Sequence, residues 1–407
     1  MQRHKSHQGQ VLQEMRLSKA QAEEPREEEG SGWCCWRLRW TLTDLLDSRV
    51  RDRSEMKAMS LGKSQKAVLY ADISHPEMTD AELSRLVGIS PGRISTIRSK
   101  LVHDGFYREI KIPSLDLLGF EGVGFIIIQL RDPHISEDEK KRQLIDNAGK
   151  HPNVIFSAEI GDSIVLITAF PRLSMLEVFA DEIFEVCCRL GEQDCRIISE
   201  SFPLDSSRIH SLWDFSSLLH ERFELHLPLP KKSYSYGRRA PQQPVDLDDL
   251  KILDLMIKAP VANDADLAKS AGVSLSTFRR MKEKIMDSGL CRRAFVPEIS
   301  KLGFELCVFS LLKLNPCRSL IGEVDHIRGL VTPWPFLMFT RKSMAFIGHC
   351  FTDYTTYTRF SSKVLSELRK NSIHFDVIQT VAGSTASMRQ IKPISFSGVL
   401  SPLIPMV

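Results

Sequence analysis

The stretch Asp80–Glu121, DAELSRLVGISPGRISTIRSKLVHDGFYREIKIPSLDLLGFE, aligns without a gap on Asp264–Glu305, DADLAKSAGVSLSTFRRMKEKIMDSGLCRRAFVPEISKLGFE. Thirteen of the 42 positions are identical. The matches include Gly88/Gly272, Gly105/Gly289, Pro113/Pro297 and Gly119/Gly303, residue types that mark special backbone geometry. A self-match at this long spacing indicates a duplicated domain unit, not a solenoid of short repeats.

Working outward, each copy follows one plan. A first helix is expected over Ser64–Ile73 and again over Leu247–Lys258, where Leu250, Leu253, Met256 and Ile257 recur at helical spacing. Thr79 and Asn263 are placed to cap a short second helix, which Gly88 and Gly272 end. Ser90 and Ser274 open a third helix, with Pro91 at its first position in copy one. The segments FYREIKI and LCRRAFV then alternate as strands do. Helix, helix, glycine turn, helix and a two-stranded wing describe a winged helix-turn-helix.

The third helices carry the candidate contacts to double-stranded DNA. In copy one Ile94, Ile97 and Leu101 form the inward stripe, leaving Ser90, Arg93, Ser95, Thr96, Arg98, Ser99 and Lys100 outward. In copy two Phe278, Met281 and Ile285 face inward, and Ser274, Ser276, Thr277, Arg279, Arg280 and Lys282 face out. Wing residues Arg108, Lys111, Arg292 and Arg293 are expected along the phosphate backbone. The net charge of the chain is only +3. Ser90–Lys111 nevertheless holds five Lys/Arg against two acids, and Ser274–Phe295 six against two, so the basic excess sits in these two windows. The two helices differ in sequence, so they are expected to read different half-sites.

Downstream of each wing the texture becomes strand, helix, strand, strand, helix, strand, the order of a ferredoxin-like fold. In copy one the helices are expected at Ser136–Lys150 and Leu173–Leu190; in copy two they fall at Ser319–Ile327 and Tyr354–Arg369. The expected class is therefore α+β, with winged helix-turn-helix domains at 59–118 and 246–302 and ferredoxin-like domains at 119–204 and 303–382. Residues 205–245 read as a linker that begins as a helix, and 383–407 as a flexible tail. Residues 1–58 read as a disordered extension, or as a start codon placed too far upstream of Met56 and Met59.

Composition narrows the functional classes. The nine cysteines form no C-x-x-C, so reduced thiols in a cytoplasm are expected, with no metal site. The longest apolar run, Val123–Leu130, has strand length, so no membrane partner is expected. Phosphate-loop, zinc-protease and nucleophile-elbow motifs are absent, and no cofactor is expected.

The D-A-[ED]-L-[SA] helix, the G-[IV]-S turn, the [KR]-[LI]-x-x-x-G helix end and the L-G-F entry resemble the N-terminal half of Lrp/AsnC-type regulators. The resemblance spans roughly residues 62–204 and 246–382. It implies a DNA-binding transcriptional regulator, with a small-molecule effector such as an amino acid. It also places Gly161 and Asp162 in the effector region, where copy two has Arg341-Lys342-Ser343 instead. Family members pair through their sheets, so the fusion implies an intramolecular pseudo-dimer or a homo-oligomer built through the same sheets. Siroheme decarboxylases of tetrapyrrole metabolism resemble the same architecture and are the alternative. The H-N-Y-like motif of that group falls here on His151-Pro152-Asn153, with no tyrosine and no nearby arginine, and on Val331–Trp334 in copy two, with no histidine. On that ground the chain is expected not to be an enzyme.

Overall fold

The polar residues placed before the short helices do hold them. Thr79 accepts a hydrogen bond from the Glu82 amide (3.3 Å) while Glu82 takes the Thr79 amide (2.8 Å), closing a capping box. Asn263 accepts from the Asp266 amide (2.9 Å) and Ser274 from the Thr277 amide (3.2 Å). Ser90 sits at the equivalent N-cap without a side-chain bond. The helices are α1 (Lys63–Ser74), α2 (Asp80–Val87) and α3 (Pro91–His103) in the first unit. Their counterparts in the second are α7 (Leu247–Lys258), α8 (Asp264–Ala271) and α9 (Leu275–Asp287). Gly88 and Gly272 close the second helices at φ of 77° and 68°, a conformation that an L side chain resists.

The computed structural model describes residues 61–130, 139–189, 195–228, 245–314, 333–370 and 375–404. The expected helix at 319–327 and the N-terminal residues 1–58 lie outside these. After each third helix comes one strand, β1 (Tyr107–Pro113) or β7 (Cys291–Pro297). Neither folds back into a wing of its own; the two pair with each other, antiparallel. Ile110 lies opposite Ala294, its sequence equivalent, and Tyr107–Pro297 mirrors Pro113–Cys291. The register is thus that of two like units about a local two-fold. The reason is physical: the inward residues Ile110 and Ile112 are buried only once a partner strand satisfies the backbone beside them.

The first unit continues with β2 (Gly122–Gln129), α4 (Glu139–Lys150), β3 (Val154–Ile160), β4 (Ser163–Phe170), α5 (Ser174–Arg189) and β5 (Arg196–Pro203). The segment expected to be a linker then supplies β6 (Arg208–Leu212) and α6 (Ser216–Phe223). In the second unit follow β8 (Leu306–Leu314), β9 (Leu337–Arg341), β10 (Met344–Phe351), α10 (Tyr354–Lys370), β11 (Phe375–Ser384) and β12 (Arg389–Lys392). One sheet has the order β12-β3-β4-β2-β5 and the other β6-β9-β10-β8-β11, all antiparallel. Each sheet therefore has the ferredoxin-like order with one edge strand donated by the other unit. The fold is α+β, and Lys57–Val407 is one compact unit.

Two expectations are corrected by this exchange. Arg208–Leu212 is a strand where the start of a helix was read, because β9 offers an unpaired edge and Ile209, Ser211 and Leu212 are buried against it. The tail expected to be flexible from 383 onward carries β12, and buries Phe396, Val399 and Leu400. Between the two sheets lies an aromatic core: Phe125 stacks on Phe346 at 3.8 Å and meets Phe202 and Phe339 edge-on at 5.1 Å. Each such ring contributes about 1.5–3 kcal/mol by burial. On the outer face of the first sheet, Ile126, Ile128 and Leu166 pack under Leu176, Phe179, Ile183 and Cys187 of α5.

Candidate functional sites

The outer helix faces come first, because the sequence points to them. In α3, Arg93, Ser95, Thr96, Ser99 and Lys100 are exposed. Arg98 is not among them. Its guanidinium binds Asp72 (Nε–Oδ1 3.1 Å) and Asp80, and Asp72 is wholly buried. The Tyr107 hydroxyl donates to the same carboxylate at 2.7 Å. Burial works against the charge of Arg98, but Asp72 and Asp80 outweigh it and hold the guanidinium above its ordinary range. Burial, and then the Asp72 charge, push the Tyr107 hydroxyl far up. This arginine is thus held from within the unit, which corrects its reading as an outward contact.

The second unit builds the same place differently. Met256 stands where Asp72 does, Cys291 where Tyr107 does, and Lys282 binds Asp264 at 2.8 Å. Burial pushes the Cys291 thiol up to about 12. Arg279 (3.7 Å from Asp264) and Arg280 remain exposed on α9 beside Ser274 and Ser276, while Thr277 is half-buried. Arg280 and Lys284 also line an open groove of about 700 Å³ against Asp246, Asp248 and Asp249.

The four strand cations expected on phosphates are engaged inside the molecule. Arg108 donates to the Ile394 carbonyl (2.8 Å) and Arg292 to the Leu212 carbonyl (3.1 Å), a matched pair that clamps the two exchanged segments. Lys111 and Arg293 share Glu109 at 2.8 and 2.6 Å, and Arg293 lies 4.7 Å from the Phe295 ring centre. The acid that meets them stands on β1 itself, a signal present in the sequence as Glu109.

Gly161 and Asp162 form the two-residue turn between β3 and β4, with Gly161 at φ 61°. The turn lies at the seam between the units: a Cβ on Gly383 of β11 would come within 2.5 Å of Ile160. Across the seam the equivalent turn projects Arg341, which binds Glu200 (2.9 Å) and the Ser201 carbonyl (2.8 Å) over Phe202.

A further cluster forms where β12 meets the first sheet, and the sequence reading missed half of it. The His151 ring packs on Phe179 at 4.1 Å, and Lys392 donates to the His151 carbonyl at 3.3 Å. Lys392 lies opposite Ser157 in the ladder. The buried Asn153 Oδ1 and Ser157 Oγ have no partner among the described residues. Burial, and then the Lys392 charge, push the His151 imidazole down; burial alone pushes the Lys392 amine down. Among the described residues no carboxylate acts on either. Lys392 was invisible because it lies 241 positions from His151, in a segment read as tail.

No family model and no curated protein matches the chain. Solved structures do. The siroheme decarboxylase NirDL aligns over 84% of this chain and 98% of its own, at 14% identity and a TM-score of 0.46. A transcriptional regulator from Neisseria meningitidis, solved with L-Met, aligns over 35% of this chain and 90% of its own, at 19% identity and 0.28. An AsnC-family regulatory protein from Pyrococcus furiosus aligns over 34% and 89%, at 18% identity and 0.29. The expectation of a non-enzyme is corrected to this extent: a structure that aligns over 84% of the chain is that of an enzyme. These likenesses assign no activity to this chain. Among the described residues no helix is long and apolar enough to cross a membrane.

Proposed function

We propose that the chain is a fused duplicate that folds as a single-chain pseudo-dimer and acts as an enzyme on a carboxylate-bearing small molecule, in the manner of a siroheme decarboxylase. The observation that carries this reading is the cluster of His151, Asn153, Ser157 and Lys392 at the exchanged strand. Two basic groups stand there, both held down by burial, beside two buried polar atoms that have no partner among the described residues. A bound carboxylate compensates that burial by pairing with the ammonium. Decarboxylation leaves an electron pair on carbon that takes up a proton as carbon dioxide departs, and the imidazole is the group of this cluster suited to supply it. The inward use of Arg98, Arg108, Lys111, Arg292 and Arg293 supports the same reading by thinning the charge available to nucleic acid. Titrating the full chain with an iron porphyrin bearing eight carboxylates, followed by its Soret band, tests it. Saturable binding, weakened about tenfold or more in Lys392→Met by loss of one charge-assisted contact, is expected. No spectral change, or wild-type affinity in that variant, overturns it.

A second reading, a DNA-binding regulator with an effector at the Gly161–Asp162 seam, is favoured by the exposed Arg93, Lys100, Arg279 and Arg280. Selection from sheared genomic DNA at roughly 150 mM salt tests it: a motif lost on Arg279→Ala with Arg280→Ala supports it, and recovery of no motif removes it. Ser90, Ser95, Thr96, Ser99, Ser274, Ser276 and Thr277 belong to that reading alone. A calorimetric panel of amino acids tests the effector.

A further inference from the structure

We infer that Cys187 and Cys195 form a dithiol that peroxide converts to a disulfide, a modification site at the outer edge of the first unit. The Cys195 thiol donates to the Cys187 sulfur across 3.1 Å, about 1 Å beyond the length of a disulfide bond. They come from different elements: Cys187 projects from the last turn of α5 into the core under that helix, and Cys195 leads into β5. Their exposures divide the chemistry. Cys187 is buried and Cys195 half-buried, so an oxidant reaches Cys195 first.

The step balances with hydrogen peroxide as oxidant. The Cys195 thiolate attacks one peroxide oxygen, the O–O bond breaks, and the product is a sulfenic acid with release of water. The Cys187 sulfur then attacks the sulfenic sulfur, expelling its oxygen as a second water. Two thiols are oxidised by two electrons, peroxide is reduced, and both thiol protons leave in water.

A second pair in the molecule serves as its control. Cys307 and Cys350 lie directly opposite each other on β8 and β10, yet both are buried, and burial holds Cys350 well above its ordinary range. Proximity alone does not select a reactive pair; access to an oxidant does. Cys188, exposed next to Cys187, is the competitor.

The test treats the full chain with hydrogen peroxide and maps the peptides without reduction. A Cys187–Cys195 link is expected, reversed by dithiothreitol, unchanged in Cys188→Ser and absent in Cys195→Ser, a substitution at the half-buried position that leaves the core intact. Cys307 and Cys350 are expected to stay reduced until the chain is unfolded. A link through Cys188, or no link while the folded chain accumulates sulfinic acid at Cys195, overturns the inference.

Discussion

The two three-helix units share a backbone plan and differ in what holds the third helix. In the first, a buried carboxylate, Asp72, gathers Arg98 and Tyr107 into an ion-pair network. In the second, Met256 and Cys291 fill the same places with apolar volume, Lys282 reaches the half-buried Asp264, and a different buried carboxylate, Asp249 of α7, holds Lys284 of α9 at 2.5 Å. One plan therefore tolerates either a polar or an apolar filling at the Asp72/Met256 position, with the buried carboxylate moved to Asp249 in the second unit, but each solution depends on all its members being present. A buried charge with partners replaces packing at little net gain, whereas the same charge without them is costly.

Breaking the first unit has the largest expected effect. Asp72→Ala leaves Arg98 and the Tyr107 hydroxyl without their shared acceptor and should cost about 3–5 kcal/mol in denaturant unfolding. Transplanting the second unit's set, Asp72→Met with Arg98→Lys and Tyr107→Cys, should recover all but about 1.5 kcal/mol. A transplant no better than the single change would show that the two solutions are not interchangeable.

The ferredoxin-like domains carry the next contrast. Thr168 of β4 has its counterpart in His349 of β10, a fully buried imidazole that burial pushes down to about 4. The unfolded chain takes up this proton near the ordinary imidazole value of 6.5, the folded chain only at about 4. Between these values the unfolded state binds more protons. Stability is therefore intact above pH 6.5 and falls by about 3 kcal/mol as pH drops to 4. His349→Thr should flatten that slope in a pH series of melts; an unchanged slope would place its origin elsewhere.

Two arginines test the pseudo-symmetry. Arg108→Ala and Arg292→Ala each remove one clamp on an exchanged segment, and each should cost about 1–2 kcal/mol. Unequal losses would mean that one exchanged strand bears more of the seam. The smallest effect separates the caps. Thr79→Ala should cost about 1 kcal/mol and Ser90→Ala a few tenths, since of these two Thr79 alone makes a side-chain cap bond.

The caps, glycine turns and helix stripes were legible because their partners lie three or four residues away. The exchanged strands were not. Arg208–Leu212 and Arg389–Lys392 are too short to display alternation, and their partners, near Leu337 and Ser157, are remote in sequence. Charge placement was legible, but its use was not: the Arg293 guanidinium takes acceptors at Glu109 and the Pro76 carbonyl, which a linear reading assigns to other elements. Of the cluster at β12, the sequence points to His151 and Asn153 alone, because Lys392 joins them through the fold.

Light scattering over a wide range of protein concentration tests the central claim, that the two units close on each other within one chain. The exchange of β6 and β12 predicts a mass of 46.2 kDa that does not change with dilution. A mass of two chains or more that falls on dilution would mean that the strands are exchanged between molecules, and would contradict it.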